Sequence, residues 1–244
     1  MGRLVAQMIN QRLLTAGCSF TEYCWNTWAD YLGKEYSEFE NLGVSGADNP
    51  TVARSIVQNA KPGDMVVALW TSFDRWSRWS EEIKPIPRDN NNHWIRTGTF
   101  LFDKTLMMNY YHPVERFLNT MDSIQLVDLH SQQVGYTVYH FTAFPLFLGQ
   151  LETAPHPAVL KFYKDYSIKN NFLNEISMED FKIQTNQDIR TTHQYNTNDN
   201  HPTPKVQWEY LTQVIVPKIG ITLSNTTVND VSKDQTDVLN GIVY

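Results

Sequence analysis

Short apolar runs that stop at glycine or turn residues alternate, over about the first seventy residues, with segments whose apolar positions recur every three or four. Leu13-Leu14-Thr15-Ala16, ending at Gly17, predicts a buried strand running into a tight turn. Trp25, Trp28, Ala29 and Leu32 then fall on one face of a helix over 24–32. A second strand is expected over 39–42, closing on Gly43-Val44-Ser45-Gly46. Asp48 or Asn49 can cap the next helix, about 50–59, because Pro50 fits its first turn and Val52, Ile56 and Val57 form its inner stripe. Lys61-Pro62-Gly63-Asp64 is turn chemistry, and Met65-Val66-Val67-Ala68-Leu69-Trp70 is the most continuous apolar run, a third and fully buried strand. Strand and helix repeating at this interval predict a parallel α/β sheet with right-handed crossovers.

The rhythm then breaks. Residues 76–105 combine Trp, Pro, Arg and an Asn triplet and read as a long loop, a length usually kept for function. Met107, Tyr110, Val114, Phe117 and Met121 fit a long helix over 106–133 despite Pro113, and 134–141 reads as a fourth strand. Residues 145–197 are polar, with one amphipathic helix around 178–183, and are expected to lie over the same end of the sheet as the first excursion. A helix over 205–216 places Val206, Tyr210, Val214 and Ile215 inward. The expected organisation is one domain over 1–220, with insertions at about 76–105 and 145–197, and a tail or attachment segment at 221–244.

Composition narrows the function classes. With 244 residues, 41% of them hydrophobic, the chain can bury one sizeable core. Its net charge of -6, from 20 basic and 26 acidic side chains, gives no footprint for a phosphate backbone, so no nucleic-acid partner is expected. Cys18 and Cys24 form neither a disulfide framework nor a zinc spacing, and the histidines show no metal-binding pairs, so no metal is expected. Gln, Asn and Arg interrupt the first apolar positions, so no signal peptide is expected; no run approaches the roughly 18 apolar residues of a membrane span. The aromatic share, 13%, is high, and Trp70, Trp76, Trp79 and Trp94 gather at the first insertion, where a cleft wall would stand.

Open parallel sheets bind ligands beyond the carboxyl ends of their strands, so the residues following each strand are the ones to inspect. Ser19 sits in the turn after the first strand, Gly46 after the second, and Ser72 and Arg75 after the third. His201 enters the last helix, with Asp199 two residues before it. A serine, a base and an orienting acid make up the set needed for nucleophilic acyl transfer. Trp70 could stack on a sugar ring and Arg75 could bind a carboxylate, while Asn49 either caps its helix or points into the site.

Gly17-Cys18-Ser19-Phe20-Thr21, Asn41-Leu42-Gly43-Val44-Ser45-Gly46, an apolar strand, and Asp199-Asn200-His201-Pro202-Thr203 occur in the order found in SGNH hydrolases, or GDSL-type esterases, which the chain resembles over about 13–75 and 134–218. The resemblance implies a flavodoxin-like three-layer α/β/α sandwich with a central parallel sheet. It implies Ser19 as nucleophile, His201 as general base, Asp199 as its orienter, the N–H groups of Ser19 and Gly46 as oxyanion donors, and no cofactor. The family's third-block Asn is absent: the strand runs into Trp70-Thr71-Ser72-Phe73-Asp74-Arg75, leaving Ser72, Arg75 or Asn49 as possible substitutes. The family's usual acid position, three before the histidine, is Asn198. The expected activity is hydrolysis of an acyl ester, most plausibly O-acetyl on a carbohydrate, with a small-molecule or glycan ester as substrate. The chain is also similar to SGNH-like proteins of tailed bacteriophages, which implies a virion tail or the host cytoplasm as its place and other virion proteins or copies of itself as partners. The competing expectation is a non-catalytic structural or glycan-binding virion protein that keeps the fold.

Overall fold

A computed structural model describes residues 8–79, 94–97, 112–146, 157, 161, 165, 172, 175–185 and 201–224. Its first elements are β1 (Ile9–Ala16), α1 (Trp28–Gly33), β2 (Tyr36–Asn41), α2 (Asn49–Asn59) and β3 (Met65–Trp70). They are followed by β4 (Trp76–Trp79), β5 (Trp94–Thr97), α3 (Pro113–Val134), β6 (Thr137–Thr142) and α4 (Met178–Gln184). The last helix starts as α5 (Pro204–Tyr210), widens into a π turn over Leu211–Ile215 and ends as α6 (Val216–Ile219).

Four parallel strands form the central sheet in the order β2-β1-β3-β6, the beginning of the flavodoxin-like order. From β1 the chain steps outward to β2, then reverses across β1 to β3 and continues to β6. Right-handed crossovers therefore put α1 on one face and α2 and α3 on the other. Contacts between helices agree: α2 packs on α3, whereas α1 and α4 pack on α5. With both faces covered, β3 is buried from Val66 to Trp70, and Val66, Val67 and Leu69 each contribute about 1.5–3 kcal/mol of burial. The molecule is a three-layer α/β/α sandwich. Its strand order reverses between β1 and β3, so the crevice beyond the carboxyl end of β1 is where the fold opens to a ligand.

Several boundaries move for identifiable reasons. β1 begins at Ile9 because Arg12 is paired inside the sheet: Glu38, Glu40 and Asp64 surround its guanidinium, with Asp64 at 2.8 Å. Asp48 is the cap of α2, accepting the Thr51 N–H at 3.0 Å. α3 starts at Pro113, whose missing N–H suits a first turn; the earlier part of the expected helix, 106–111, lies outside the described residues. The first insertion is not all loop, since β4 and β5 pair antiparallel with Trp76 opposite Thr97 and Trp79 opposite Trp94. In the second insertion, α4 is tied to the end of β6 by the Glu179 N–H on the Ala143 carbonyl, 3.0 Å. Val216 and Pro217 follow the π turn, and a proline ring crowds the carbonyl four residues earlier in a helix. The domain extends past residue 220: Ile221 and Leu223 pack on the core, and the Ser224 N–H and hydroxyl bind the buried Glu35 carboxylate at 3.0 and 2.9 Å. No helix among the described residues is long and apolar enough to cross a membrane.

Candidate active site

The turn after β1 is shaped by close approach. A Cβ on Gly17 would lie 2.1 Å from Thr21 Oγ1 and 2.9 Å from the Leu69 carbonyl, so only glycine fits there. The Cys18 carbonyl then accepts the N–H groups of Thr21 (2.8 Å) and Glu22 (3.2 Å), which closes one helix-like turn around Ser19 and Phe20. Cys18 and Phe20 are buried and anchor the turn from beneath, and Ser19 is itself only 3% exposed.

Asn41 at the end of β2 rivets this turn to the sheet. Its Oδ1 accepts the Thr15 hydroxyl (3.1 Å) and the Gly43 N–H (3.0 Å), while Nδ2 donates to the Thr21 carbonyl (3.0 Å) and Glu22 Oε2 (2.7 Å). The following loop is laced to β1 by Leu42 N–H on Thr15 O and Val44 N–H on Gly17 O. A turn closes from Val44 to Ala47 with Gly46 at φ 71°, a left-handed conformation that suits glycine in the third place of such a turn. The N–H groups of Ser19 and Gly46 donate no hydrogen bond among the described residues.

His201 arrives from the opposite end of the sequence. Its Nε2 lies 2.8 Å from Ser19 Oγ across a separation of 182 residues. Three aromatic rings hold it there. Tyr23 stacks on the imidazole with centroids 4.0 Å apart and planes inclined by 22°, and Phe20 meets it edge-on at 5.7 Å. Trp25 buttresses Tyr23 edge-on at 4.2 Å and donates its indole N–H to the carbonyl of Pro202, next to the histidine, at 3.0 Å. One helix turn later, the Gln207 side chain accepts the Trp28 N–H at 3.2 Å, joining α5 to α1. Sequence reasoning missed Asn41, Tyr23 and Trp25 as members of this site. Tyr23 and Trp25 follow the Gly17–Thr21 motif closely and Asn41 opens the Asn41–Gly46 motif, which was the available signal.

The remaining candidates separate. Ser72 and Arg75 follow β3 in a tight turn: the Ser72 carbonyl accepts the Arg75 N–H (3.3 Å) and the Ser72 hydroxyl oxygen accepts the Asp74 N–H (3.3 Å). Asp199 lies outside the described residues. Two expectations are corrected. Asn49 is 1% exposed, and its amide is fully engaged by the Thr71 N–H (2.8 Å), the Thr71 carbonyl (3.0 Å) and the Thr120 hydroxyl (3.0 Å). It clamps the end of β3 to α2 and α3 and has no donor left for a substrate. Trp70 is fully buried and donates its indole N–H to His140 Nδ1 at 3.0 Å, so it forms no cleft wall. Because indole nitrogen can only donate, Nδ1 must accept, and the His140 proton sits on Nε2 facing Asp128 Oδ1 at 2.8 Å. Trp76 is half-buried under the Arg116 guanidinium, 5.1 Å from its ring, and the side chains of Trp79 and Trp94 lie outside the described residues.

Chemically, the crevice joins a hydroxyl and an imidazole nitrogen within hydrogen-bond reach. Among the described residues no three His, Cys, Asp or Glu side chains cluster as a metal site. Comparison with protein-family models and with curated proteins finds no match.

Proposed function

We propose that the protein is a serine ester hydrolase of the SGNH type, removing an acetyl group from a carbohydrate. The observation that carries the reading is the 2.8 Å approach of His201 Nε2 to Ser19 Oγ at the reversal point of the sheet. With the imidazole proton on Nδ1, the Ser19 hydroxyl donates to Nε2 and the serine attacks the ester carbonyl as its proton moves to the imidazole. The N–H groups of Ser19 and Gly46 receive the oxyanion; one such donor is worth about 2.7–4 kcal/mol in the transition state. The imidazolium then protonates the leaving alcohol, and a water activated by the same nitrogen releases the acid. Asp199 is assigned the Nδ1–H.

Hydrolysis of p-nitrophenyl acetate tests the reading. Ser19→Ala and His201→Ala should each lose at least about a thousandfold in rate, and a fluorophosphonate should label Ser19. Equal rates for wild type and Ser19→Ala would reject hydrolysis and leave a glycan-binding role for the fold.

A further inference from the structure

Among the described residues the Arg75 guanidinium has no counter-ion. It is always charged and carries five N–H donors. In a chain with 26 acidic side chains, it makes no ion pair among the described residues. Its Nη1 has no hydrogen-bond partner among the described residues and is shielded from bulk solvent. A buried, unpaired cationic nitrogen is costly, because the desolvation penalty is not returned by any opposing charge. Such a group in a folded protein calls for a reason, and a ligand that supplies the missing charge is one.

Its location says which ligand. Arg75 is held at the carboxyl end of β3, the strand beside β1, by its N–H on the Ser72 carbonyl. Its guanidinium lies over the ring of Phe144, 5.5 Å from the centroid. Phe144 packs at 5.0 Å on Phe20, and Phe20 follows Ser19 and meets His201 edge-on. A wall of two phenyl rings thus runs from the Ser19–His201 pair to the charge. That arrangement suits a group carried elsewhere on the same sugar or on its neighbour. The planar fork of the guanidinium matches a carboxylate with two parallel N–H···O bonds.

We infer that Arg75 is a specificity-determining residue and that the ester is carried by an acidic sugar, whose carboxylate pairs with the guanidinium. The inference rests on the ester-hydrolase reading and adds the substrate's charge. It reverses the simplest reading of the net charge of -6, under which a neutral sugar would be favoured.

The test compares kcat/KM for acetate release from mono-O-acetyl glucuronate and mono-O-acetyl glucose, beside p-nitrophenyl acetate. The wild type should favour the acidic sugar by about tenfold or more, the scale of one charge-assisted pair, with a preference that weakens as salt is raised. Arg75→Gln should abolish the preference, and Arg75→Lys should retain part of it. Because the preference and its salt dependence are read in the wild type, failure of a variant to fold does not remove the test. No preference in the wild type, or one unchanged in Arg75→Gln, overturns the inference while Ser19-dependent hydrolysis of p-nitrophenyl acetate stands. Loss of all three activities in the wild type overturns the hydrolase reading itself.

Discussion

Asn41→Asp changes one atom and should separate the donors of the Asn41 rivet from its acceptors. The acceptor side survives, since a carboxylate oxygen can still take the Thr15 hydroxyl and the Gly43 N–H. On the other side, an oxygen replaces the nitrogen that donates to the Thr21 carbonyl and to Glu22 Oε2 at 2.7 Å. Two hydrogen bonds are lost, one of them to a carboxylate, which costs about 2–3 kcal/mol. Two carboxylates also now face each other. At a charge separation of about 4 Å their repulsion lies between ~1 kcal/mol in water and ~4 kcal/mol near a protein surface, and the half-buried Glu22 sets it in the lower part of that range. The introduced carboxyl is harder to ionise in the folded state than in the unfolded chain, so its folded pKa is raised. The repulsive part of the penalty is therefore absent below the unfolded value of about 3.9 and grows as pH rises through the folded one. Urea denaturation of both proteins at pH 4 and pH 8 should show a stability gap that widens by about 1–2 kcal/mol at the higher pH, accompanied by a fall in esterase rate as the Ser19 turn loosens. A gap that is the same at both pH values would refute the facing of these two groups.

Trp25→Phe keeps an aromatic ring against Tyr23 but removes the bond to the Pro202 carbonyl; about 1 kcal/mol of positioning is lost, and kcat for p-nitrophenyl acetate should fall about fivefold at an unchanged KM. His140→Phe removes the acceptor of the Trp70 N–H and the ring nitrogen that faces Asp128, and thermal denaturation should show a loss of about 1–3 kcal/mol with the fold retained. Burial raises the Tyr36 and Tyr136 phenols to about 12, and raises Tyr210 further. Groups with a raised folded pKa stabilise fully below their unfolded value and lose that contribution above it, so urea stability should decline as pH climbs from about 10 toward 12, less steeply in Tyr36→Phe.

The sandwich was legible because its strands, where buried on both sides, are nearly unbroken apolar runs: Met65 to Trp70 declares a central strand by itself. The Ser19–His201 pair was legible from residue type and chain order. What periodicity cannot report is which partner lies opposite. The first half of β1 reads as polar because Arg12 looks exposed until Glu38, Glu40 and Asp64 are placed around it. Asn49 and Trp70 follow strand ends or open a helix, as ligand-binding residues do, and only three dimensions show their polar atoms turned inward to Thr71, Thr120 and His140. The β4–β5 ribbon was missed because four-residue strands carry too short an alternation to stand out between polar neighbours. The aromatic clamp on His201 was hidden for a related reason: Tyr23 and Trp25 lie far from His201 in sequence, and a stacking partner leaves no periodic trace.

The bond between Ser224 and Glu35 also sets the polarity of the molecule. Glu35 stands just ahead of β2, where its carbonyl accepts the Ile9 N–H at the very start of β1. Ser224 therefore sits at the amino-terminal rim of the sheet, while Ser19 and His201 occupy the carboxyl-terminal rim, a strand length of about 20 Å away. A carrier or surface that gripped the domain at Ser224 would hold it by its back, leaving the mouth of the crevice turned outward.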